Sequence, residues 1–349
     1  MRVLPPLTIT DALLTSSTVP ELAPAAYAGG TTYALGDQVS VAAGLILTVY
    51  QSLQAGNVGH TPASSPTWWV SLGTTYAPWS SGTTYAVGDV VLDATNHVEY
   101  TSLAASNLNH AVTDTAWWLS ATSNRWRMFD LLRNTGATGP SPMTVVITPG
   151  QRIDSVGLVG LVADSATVTL TVAGMTVYSK TINLSSRNTT SWYTYFFGAF
   201  TFKSVVGLFD LPPYTNGVVS VTLTRAGGLV TCGGLLVGTS VYLGRTLYNP
   251  DNDALNFSTI DRDLFGNATL VQRRTVPKVN VQIRATKASV NSAIALRTLL
   301  NAVPALWSGL DDSEDAYFEP LLILGVYKRF TVNMDLPDYA LITLELEEV

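Results

Sequence analysis

One short sequence module occurs twice in tandem, and this repeat constrains the fold more than any other feature of the chain. Three segments recur in the same order: GTTYALGDQV (30–39) as GTTYAVGDVV (82–91), YQSLQAGNVGH (50–60) as YTSLAASNLNH (100–110), and TWWVS (67–71) as AWWLS (116–120). Their spacing drifts from 52 to 49 residues because the intervening loops differ in length. We therefore predict two copies of one small module, at about 27–73 and 78–122.

Each copy has the pattern of a small β module. Gly-Asp after Tyr-Ala-x is a turn signal, and short apolar runs on either side, VSV with LTVY and VVL with VEY, indicate hairpin strands. A module of this size cannot build a large core, so aromatic side chains must supply much of its buried area. Because neighbouring strand residues point to opposite faces, one tryptophan of each Trp-Trp pair should face the core and the other should face out.

Each copy resembles the carbohydrate-binding modules of families 5 and 12, the chitin-binding type 3 group. That family has a Tyr-x-x-Gly-Asp-x-Val start, a tyrosine in the middle and a tryptophan near the end. The matching residues are Tyr33, Gly36, Asp37, Val39, Tyr50 and Trp69 in the first copy, and Tyr85, Gly88, Asp89, Val91, Tyr100 and Trp118 in the second. The resemblance implies that Trp69 and Trp118 belong to the core. The full row of exposed aromatic residues that binds chitin in secreted enzymes is not evident here.

Trp68 and Trp117 are then the exposed candidates for sugar contact, because a flat aromatic face fits the C–H face of a sugar ring. The complete candidate carbohydrate-binding set is Trp68, Trp117, Tyr33, Tyr85, Tyr50, Tyr100, Asn57 and Asn107. Other interpretations stay open. The outward tryptophans can instead pack against a neighbouring module or subunit, the tyrosines can be core residues, and His60 and His110 can belong to polar loop clusters.

The remaining chain divides into three predicted parts. Residues 1–26 form an extended N-terminal arm, either anchoring a subunit in an assembly or ending loosely. Residues 124–245 read as short strands of a β-sandwich, jelly-roll-like, in which the aromatic run Ser191–Phe200 is expected to be an alternating strand. Residues 246–349 form a small α+β domain with a helix at about 287–303. We predict a mainly β, multidomain protein whose residues 124–349 fold without the first 122.

The predicted helix has Leu296, Leu299, Leu300 and Val303 on one apolar face. The strands expected after it are LLILGV, RFTVNMDL and ALITLELE. The combination of chitin-binding-like modules, a β-sandwich and this tail is similar in architecture to tail proteins of tailed bacteriophages. That resemblance implies a virion tail-tip or baseplate component, with other tail proteins and host cell-surface polysaccharide as partners. Tandem weak sites gain avidity in an oligomer, so we expect a homo-oligomer, with a trimer favoured.

Composition excludes several other classes. The chain of 349 residues is 13% charged with a net charge of −6, which argues against a nucleic-acid partner. No apolar run approaches the ~20 residues of a membrane span, so we expect no membrane insertion. The start MRVLPPLTIT lacks a basic leader and an apolar core, so we expect synthesis in the host cytoplasm without a signal peptide. Cys232 is the only cysteine, which excludes an internal disulfide.

No specific catalytic pattern is present. The sequence has no Gly-x-Ser-x-Gly, no phosphate loop and no His-Glu-x-x-His, so we expect no enzyme activity, cofactor or metal. The acidic residues Asp311, Asp312, Glu314 and Asp315 are expected in a solvated loop rather than as a carboxylate pair for glycoside hydrolysis. Asp251, Asp253, Asp261 and Asp263 lack the glycine and terminal glutamate of a calcium loop. Two further hypotheses remain: a tail scaffold that binds no glycan, and a polysaccharide-degrading enzyme with appended modules.

Overall fold

A computed structural model describes residues 1–186, 190–248, 250–262, 264–313, 315, 317–334 and 337–349. Asp263 and Glu314, named among the acidic residues above, lie outside these described residues. The fold is mainly β with several separate sheets and a few short helices. The predicted fold class is therefore confirmed.

The N-terminal arm takes part in two distant sheets. Strand β1 (Arg2–Leu4) pairs with Ala305–Ser308 near the end of the chain, and strand β2 (Leu14–Ser17) pairs with Met143–Ile147. Val3 and Leu4 are fully buried. The arm thus contributes one strand to each of two sheets of its own chain. The structure therefore argues against the expectation that residues 124–349 fold without the first 122.

Each repeat forms a three-stranded antiparallel sheet, as its hairpin pattern predicted. Module 1 consists of β3 (Gln38–Ala43), β4 (Ile46–Ser52) and β5 (Trp69–Tyr76), with a 3-10 helix at Pro62–Ser64. Module 2 consists of β6 (Thr84–Tyr85), β7 (Val90–Asp93), β8 (Val98–Ser102), β9 (Asn107–Leu108) and β10 (Trp118–Thr122). Its sheet has the order β10-β8-β7, and β6 pairs with β9 beside it.

The Gly-Asp turns before the first hairpin have the same geometry in both modules. Gly36 and Gly88 adopt φ values of +91° and +87°, a region that side chains other than glycine disfavour. The Asp37 carboxylate accepts the N–H of Ala34 at 2.7 Å, and Asp89 makes the equivalent bond in module 2 at 2.8 Å. This explains why the Gly-Asp pair recurs as a unit.

The central part of the chain is a β-sandwich. Its strands are β11 (Ala137–Pro140), β12 (Met143–Ile147), β13 (Ser155–Val159), β14 (Ser165–Val172), β15 (Met175–Asn183), β16 (Ser185–Ser186), β17 (Thr201–Phe202), β18 (Val205–Leu208), β19 (Val218–Thr224), β20 (Leu229–Cys232) and β21 (Gly234–Gly238). The sheet β15-β14-β19-β12-β2 and the sheet β18-β13-β21 enclose one apolar core. A 3-10 helix at Trp126–Phe129 precedes the sandwich.

The aromatic run after β16 is a helix, so the predicted strand at Ser191–Phe200 is wrong. Helix α1 (Trp192–Phe197) begins at a capping box in which the Ser191 hydroxyl accepts the N–H of Thr194 and the Thr194 hydroxyl accepts the N–H of Ser191. This local motif overrides the strand preference of aromatic residues. None of the aromatic side chains of α1 is buried in the sandwich core.

The C-terminal part forms one large sheet with a helix packed against it. Its elements are β22 (Val241–Tyr242), β23 (Arg245–Thr246), β24 (Asp251–Asn256), β25 (Thr259–Arg262), β26 (Ala268–Val271), β27 (Thr275–Thr286), α2 (Val290–Leu299), β28 (Ala305–Ser308), β29 (Leu322–Asn333) and β30 (Tyr339–Glu348). Two 3-10 helices lie at Lys287–Ser289 and Glu319–Leu321. The main sheet has the order β22-β1-β28-β29-β30-β27-β23, with β24 also paired to β27, and β25 pairs with β26.

Two details of the predicted α+β part are corrected. Leu296 and Leu300 are buried as expected, but Leu299 is exposed because the buried face of α2 runs through Val290 and Ala293. The two predicted strands LLILGV and RFTVNMDL form one long strand, β29, which begins at Leu322 and ends at Asn333 and has a register shift between Tyr327 and Arg329. Asp335 and Leu336, at the end of the second predicted strand, lie outside the described residues.

The sandwich and the C-terminal sheet share a third core. Leu236 of the sandwich packs in one cluster with Leu4 of β1 and with Leu306 and Leu324 of the C-terminal sheet. Every residue of β13 and β21 is buried, as expected for a middle layer covered on both faces. These two parts of the chain therefore form one packed body.

Candidate functional site

The inner tryptophan of each pair anchors its module, which confirms the core assignment. Trp69 and Trp118 are 3% and 2% exposed, and they contact Tyr33 and Tyr85 edge to face at 5.2 and 5.1 Å between ring centroids. The Trp69 indole donates to the backbone carbonyl of His60 at 2.7 Å. Trp118 donates to the carbonyl of His110 at 3.0 Å. Each inner indole thus fixes the loop that carries a histidine.

The same histidines stack on the outer tryptophans. His60 lies on Trp68 with ring centroids 4.0 Å apart and an interplanar angle of 12°. His110 lies on Trp117 at 3.7 Å and 11°. Trp68 and Trp117 are half-buried rather than fully exposed, because each indole is covered partly by the imidazole and partly by the module core against which it packs. A half-buried histidine–tryptophan stack therefore lies at the surface of each module.

The two stacks differ in their electrostatic surroundings. Asp114 places a carboxylate oxygen 4.0 Å from His110 Nδ1. The residue at the corresponding place in module 1, three positions before its first tryptophan, is Ser65. Both Ser65 and Asp114 accept the backbone N–H of the outer tryptophan, so the backbone geometry is shared although the side-chain charge is not.

Tyr33 and Tyr85 are inside the modules. They are 9% and 1% exposed. The Tyr33 hydroxyl accepts the backbone N–H of Ala28 at 2.8 Å, and Tyr85 does the same for Ser80 at 2.7 Å. Burial withdraws both side chains from direct contact with a sugar, and their role is to close the first loop of each module.

Asn57 and Asn107 are also inside, with no exposed surface. Asn57 Nδ2 donates to the Ser52 hydroxyl at 2.9 Å, and Asn107 Nδ2 donates to the Ser102 hydroxyl at 3.0 Å. Their Oδ1 atoms are buried and find no hydrogen-bond partner among the described residues. These asparagines shape the loop before the histidine and do not reach the surface.

Tyr50 and Tyr100 are half-buried on the central strands β4 and β8. Tyr100 also lines a cleft of about 550 Å³ between the two modules, together with Tyr76 and Trp79. The Trp79 indole N–H is buried without a hydrogen-bond partner in the described part of the chain. Burial, and then the nearby Glu99 carboxylate, raises the pKa of Tyr76 above its ordinary value. The repeat comparison missed this cleft because Tyr76 and Trp79 lie where the modules meet.

A buried carboxylate joins the arm, module 2 and the sandwich. Glu21 is 5% exposed and accepts hydrogen bonds from the Ser123 hydroxyl at 2.6 Å and the Trp126 indole at 2.9 Å. His97 Nδ1 lies 3.1 Å from the same carboxylate, and Thr75 of module 1 donates to the Glu21 backbone carbonyl. This junction holds both modules against the rest of the molecule.

The acidic residues near 311 border a second cleft, of about 950 Å³, in the C-terminal part. Asp311 is not simply solvated as expected. Its carboxylate accepts a hydrogen bond from the N-terminal ammonium of Met1 at 3.0 Å and lies 3.8 Å from the Arg2 guanidinium. Within the described ranges, no group of three or more His, Cys, Asp or Glu side chains is arranged to hold a metal ion. In the same ranges, no helix has the length and apolar character needed to cross a membrane.

Comparisons with protein-family models, with curated proteins and with solved structures find no match. The functional argument therefore depends on the residues and the geometry described above.

Proposed function

We propose that this chain is a structural, non-enzymatic component of a bacteriophage tail tip or baseplate that contacts host cell-surface glycans through its two modules. Its partners would be other tail proteins and host polysaccharide. It would be made in the host cytoplasm and incorporated into the virion. The resemblance of the modules to chitin-binding modules and of the architecture to phage tail proteins supports this proposal.

The observation that carries the glycan part is the repeated histidine–tryptophan stack. The intervening loops TPASSPT and AVTDTA share almost no sequence, yet the two stacks agree within 0.3 Å and 1°. Aromatic rings offer a flat apolar face together with N–H groups at the edge, a combination that suits the C–H face and the hydroxyls of a pyranose. Two such surfaces on one chain give avidity to weak individual contacts.

The cleft between the modules is a second contact surface in this proposal. Tyr76, Trp79 and Tyr100 line it with aromatic rings. Tyrosine also carries a hydroxyl that can donate or accept a hydrogen bond, whereas the indole N–H of Trp79 is buried, so Trp79 offers the cleft its apolar ring. A glycan chain could thus contact the stacks and the cleft through the same chemistry.

A glycan-degrading activity is not part of the proposal. Hydrolysis of a glycosidic bond requires two carboxyl groups flanking it, one of them protonated. The Asp311 carboxylate contacts the N-terminal ammonium at 3.0 Å and lies 3.8 Å from Arg2, so these contacts give it a structural role.

The test is a glycan array carrying N-acetylglucosamine oligomers and bacterial surface polysaccharides, probed with the full chain, followed by product analysis of every bound glycan. We expect binding to one glycan class and no hydrolysis. Absence of binding, with the chain folded and shown to be in purified phage particles, would favour the scaffold hypothesis. Hydrolysis products would favour the enzyme hypothesis.

A further inference from the structure

An unusually aromatic surface projects from the sandwich between β16 and β17. We name residues 190–202 the aromatic knob. Its exposed aromatic side chains, each between 50% and 80% exposed, are Trp192, Tyr193, Tyr195, Phe196, Phe197, Phe200 and Phe202. Side chains of this kind normally fill cores or interfaces.

The knob is a built structure rather than a loose loop. The capping box at Ser191 and Thr194 fixes the start of α1, and the β16–β17 pairing closes its base. Leu184, at the foot of the knob, is fully buried in the sandwich core. The rings also contact one another, with Tyr193 and Phe197 centroids 5.3 Å apart. Its aromatic surface is therefore presented in a defined shape.

The area of this surface matches a protein interface. With ~150–250 Å² per aromatic side chain, the seven exposed fractions amount to about 900 Å². The largest apolar patch on a typical monomer is ~300–600 Å², and a stable interface buries ~800 Å² on each partner. The knob alone is thus as large as one side of a standard interface.

A second apolar surface lies on the C-terminal part. The β25–β26 hairpin, which we name the apolar hairpin and define by residues 259–262 and 264–271, exposes Ile260, Leu264, Phe265 and Leu270 to at least 62%. All four residues of β25 and of β26 are exposed. The chain therefore carries two separate apolar protrusions.

We propose that the aromatic knob of one copy packs on the apolar hairpin of a second copy and that repetition of this contact closes a cyclic homo-oligomer. A head-to-tail contact uses two different patches of each subunit and forms a ring when the rotation closes. It covers both protrusions, whereas a knob-to-knob contact leaves every hairpin exposed. This inference does not depend on glycan binding.

The first experiment is light scattering after size-exclusion chromatography of the full chain at tens of micromolar. We expect an oligomer, and for three copies of the 37.3 kDa chain a mass of about 112 kDa. Trp192→Ser with Phe197→Ser, and separately Leu264→Ser with Phe265→Ser, should each weaken association at least tenfold. The control Leu35→Ser with Val87→Ser changes two exposed apolar residues of the module turns and should leave the mass unchanged. A native chain that is monomeric, or an oligomer insensitive to both interface variants, would overturn the proposal.

The second experiment tests the pairing by disulfide cross-linking. The native Cys232 is buried, so it does not interfere. The double variant Tyr193→Cys with Leu264→Cys should give covalent multimers under oxidising conditions, whereas each single variant should give none. Covalent dimers from Tyr193→Cys alone would show a knob-to-knob contact and refute the head-to-tail arrangement.

Discussion

The two tryptophans of each pair should differ sharply in what their removal costs. Trp118→Ala truncates an almost fully buried side chain that contacts Tyr85 and donates to the His110 carbonyl, at a cost of about 3–5 kcal/mol. Trp117→Ala removes a half-buried ring stacked on His110. The stack contributes ~0.5–1.5 kcal/mol beyond area, so with partial burial we expect about 1–2 kcal/mol.

The first of these losses is comparable with the stability of the whole module. Residues 78–122 are 45 residues, for which ~0.05–0.15 kcal/mol per residue gives about 2–7 kcal/mol. Trp118→Ala should therefore allow module 2 to open locally while the sandwich stays folded.

Hydrogen exchange of the β8 amides measures this opening directly. We expect exchange to accelerate about 100- to 5,000-fold for Trp118→Ala and about 5- to 30-fold for Trp117→Ala, with β14 amides of the sandwich unchanged as the internal control. Equal acceleration by the two substitutions, or unchanged β8 protection in Trp118→Ala, would refute the assignment of inner and outer tryptophans.

Glu21→Ala leaves the buried donors of the junction without an acceptor, so urea unfolding should show that the free energy of unfolding falls by about 3–5 kcal/mol. The control Asp11→Ala removes the exposed partner of His97 and should lower it by under ~1 kcal/mol. Equal losses would contradict the role given to Glu21 in the junction. Burial raises the pKa of the Cys232 thiol to about 12, so Ellman's reagent at pH 8 should label no thiol in the native chain and one thiol in urea. Rapid labelling of the native chain would show that the core around Cys232 is open to solvent. Deleting residues 1–17 removes β1 and β2 and should abolish cooperative melting. Replacing residues 24–122 by a short Gly-Ser linker should leave a cooperative melt. A cooperative melt of the chain that lacks residues 1–17 would mean that the arm is dispensable.

Local signals in the sequence predicted the modules well. The Tyr-Ala-x-Gly-Asp turn and the alternating short strands are determined by neighbouring residues, and a fully buried aromatic is almost obligatory in so small a core. The pairing of Trp68 with His60 was not predictable from alternation, because the tryptophan lies in the turn before β5 and the histidine belongs to a loop.

Non-local contacts account for most of what the sequence could not predict. Strand β1 pairs with residues more than 300 positions away, and no local pattern identifies such a partner. The buried position of Glu21 likewise follows from donors contributed by separate segments. The helix at Trp192–Phe197, by contrast, follows from a local signal, because Ser191 and Thr194 form its capping box. The many aromatic residues of the segment favoured a strand instead, so the prediction was wrong there.

Binding of the tryptophan variants to glycan tests the central proposal most directly. Trp68→Ala with Trp117→Ala should weaken binding of the full chain to the array-selected glycan, and to host cells, severalfold per module and more in the oligomer through lost avidity. Circular dichroism and the sandwich melt should stay native, and the control Leu35→Ser with Val87→Ser should bind normally. Normal glycan binding by the double tryptophan variant, with both modules folded, would contradict the proposal that the histidine–tryptophan stacks contact the host surface.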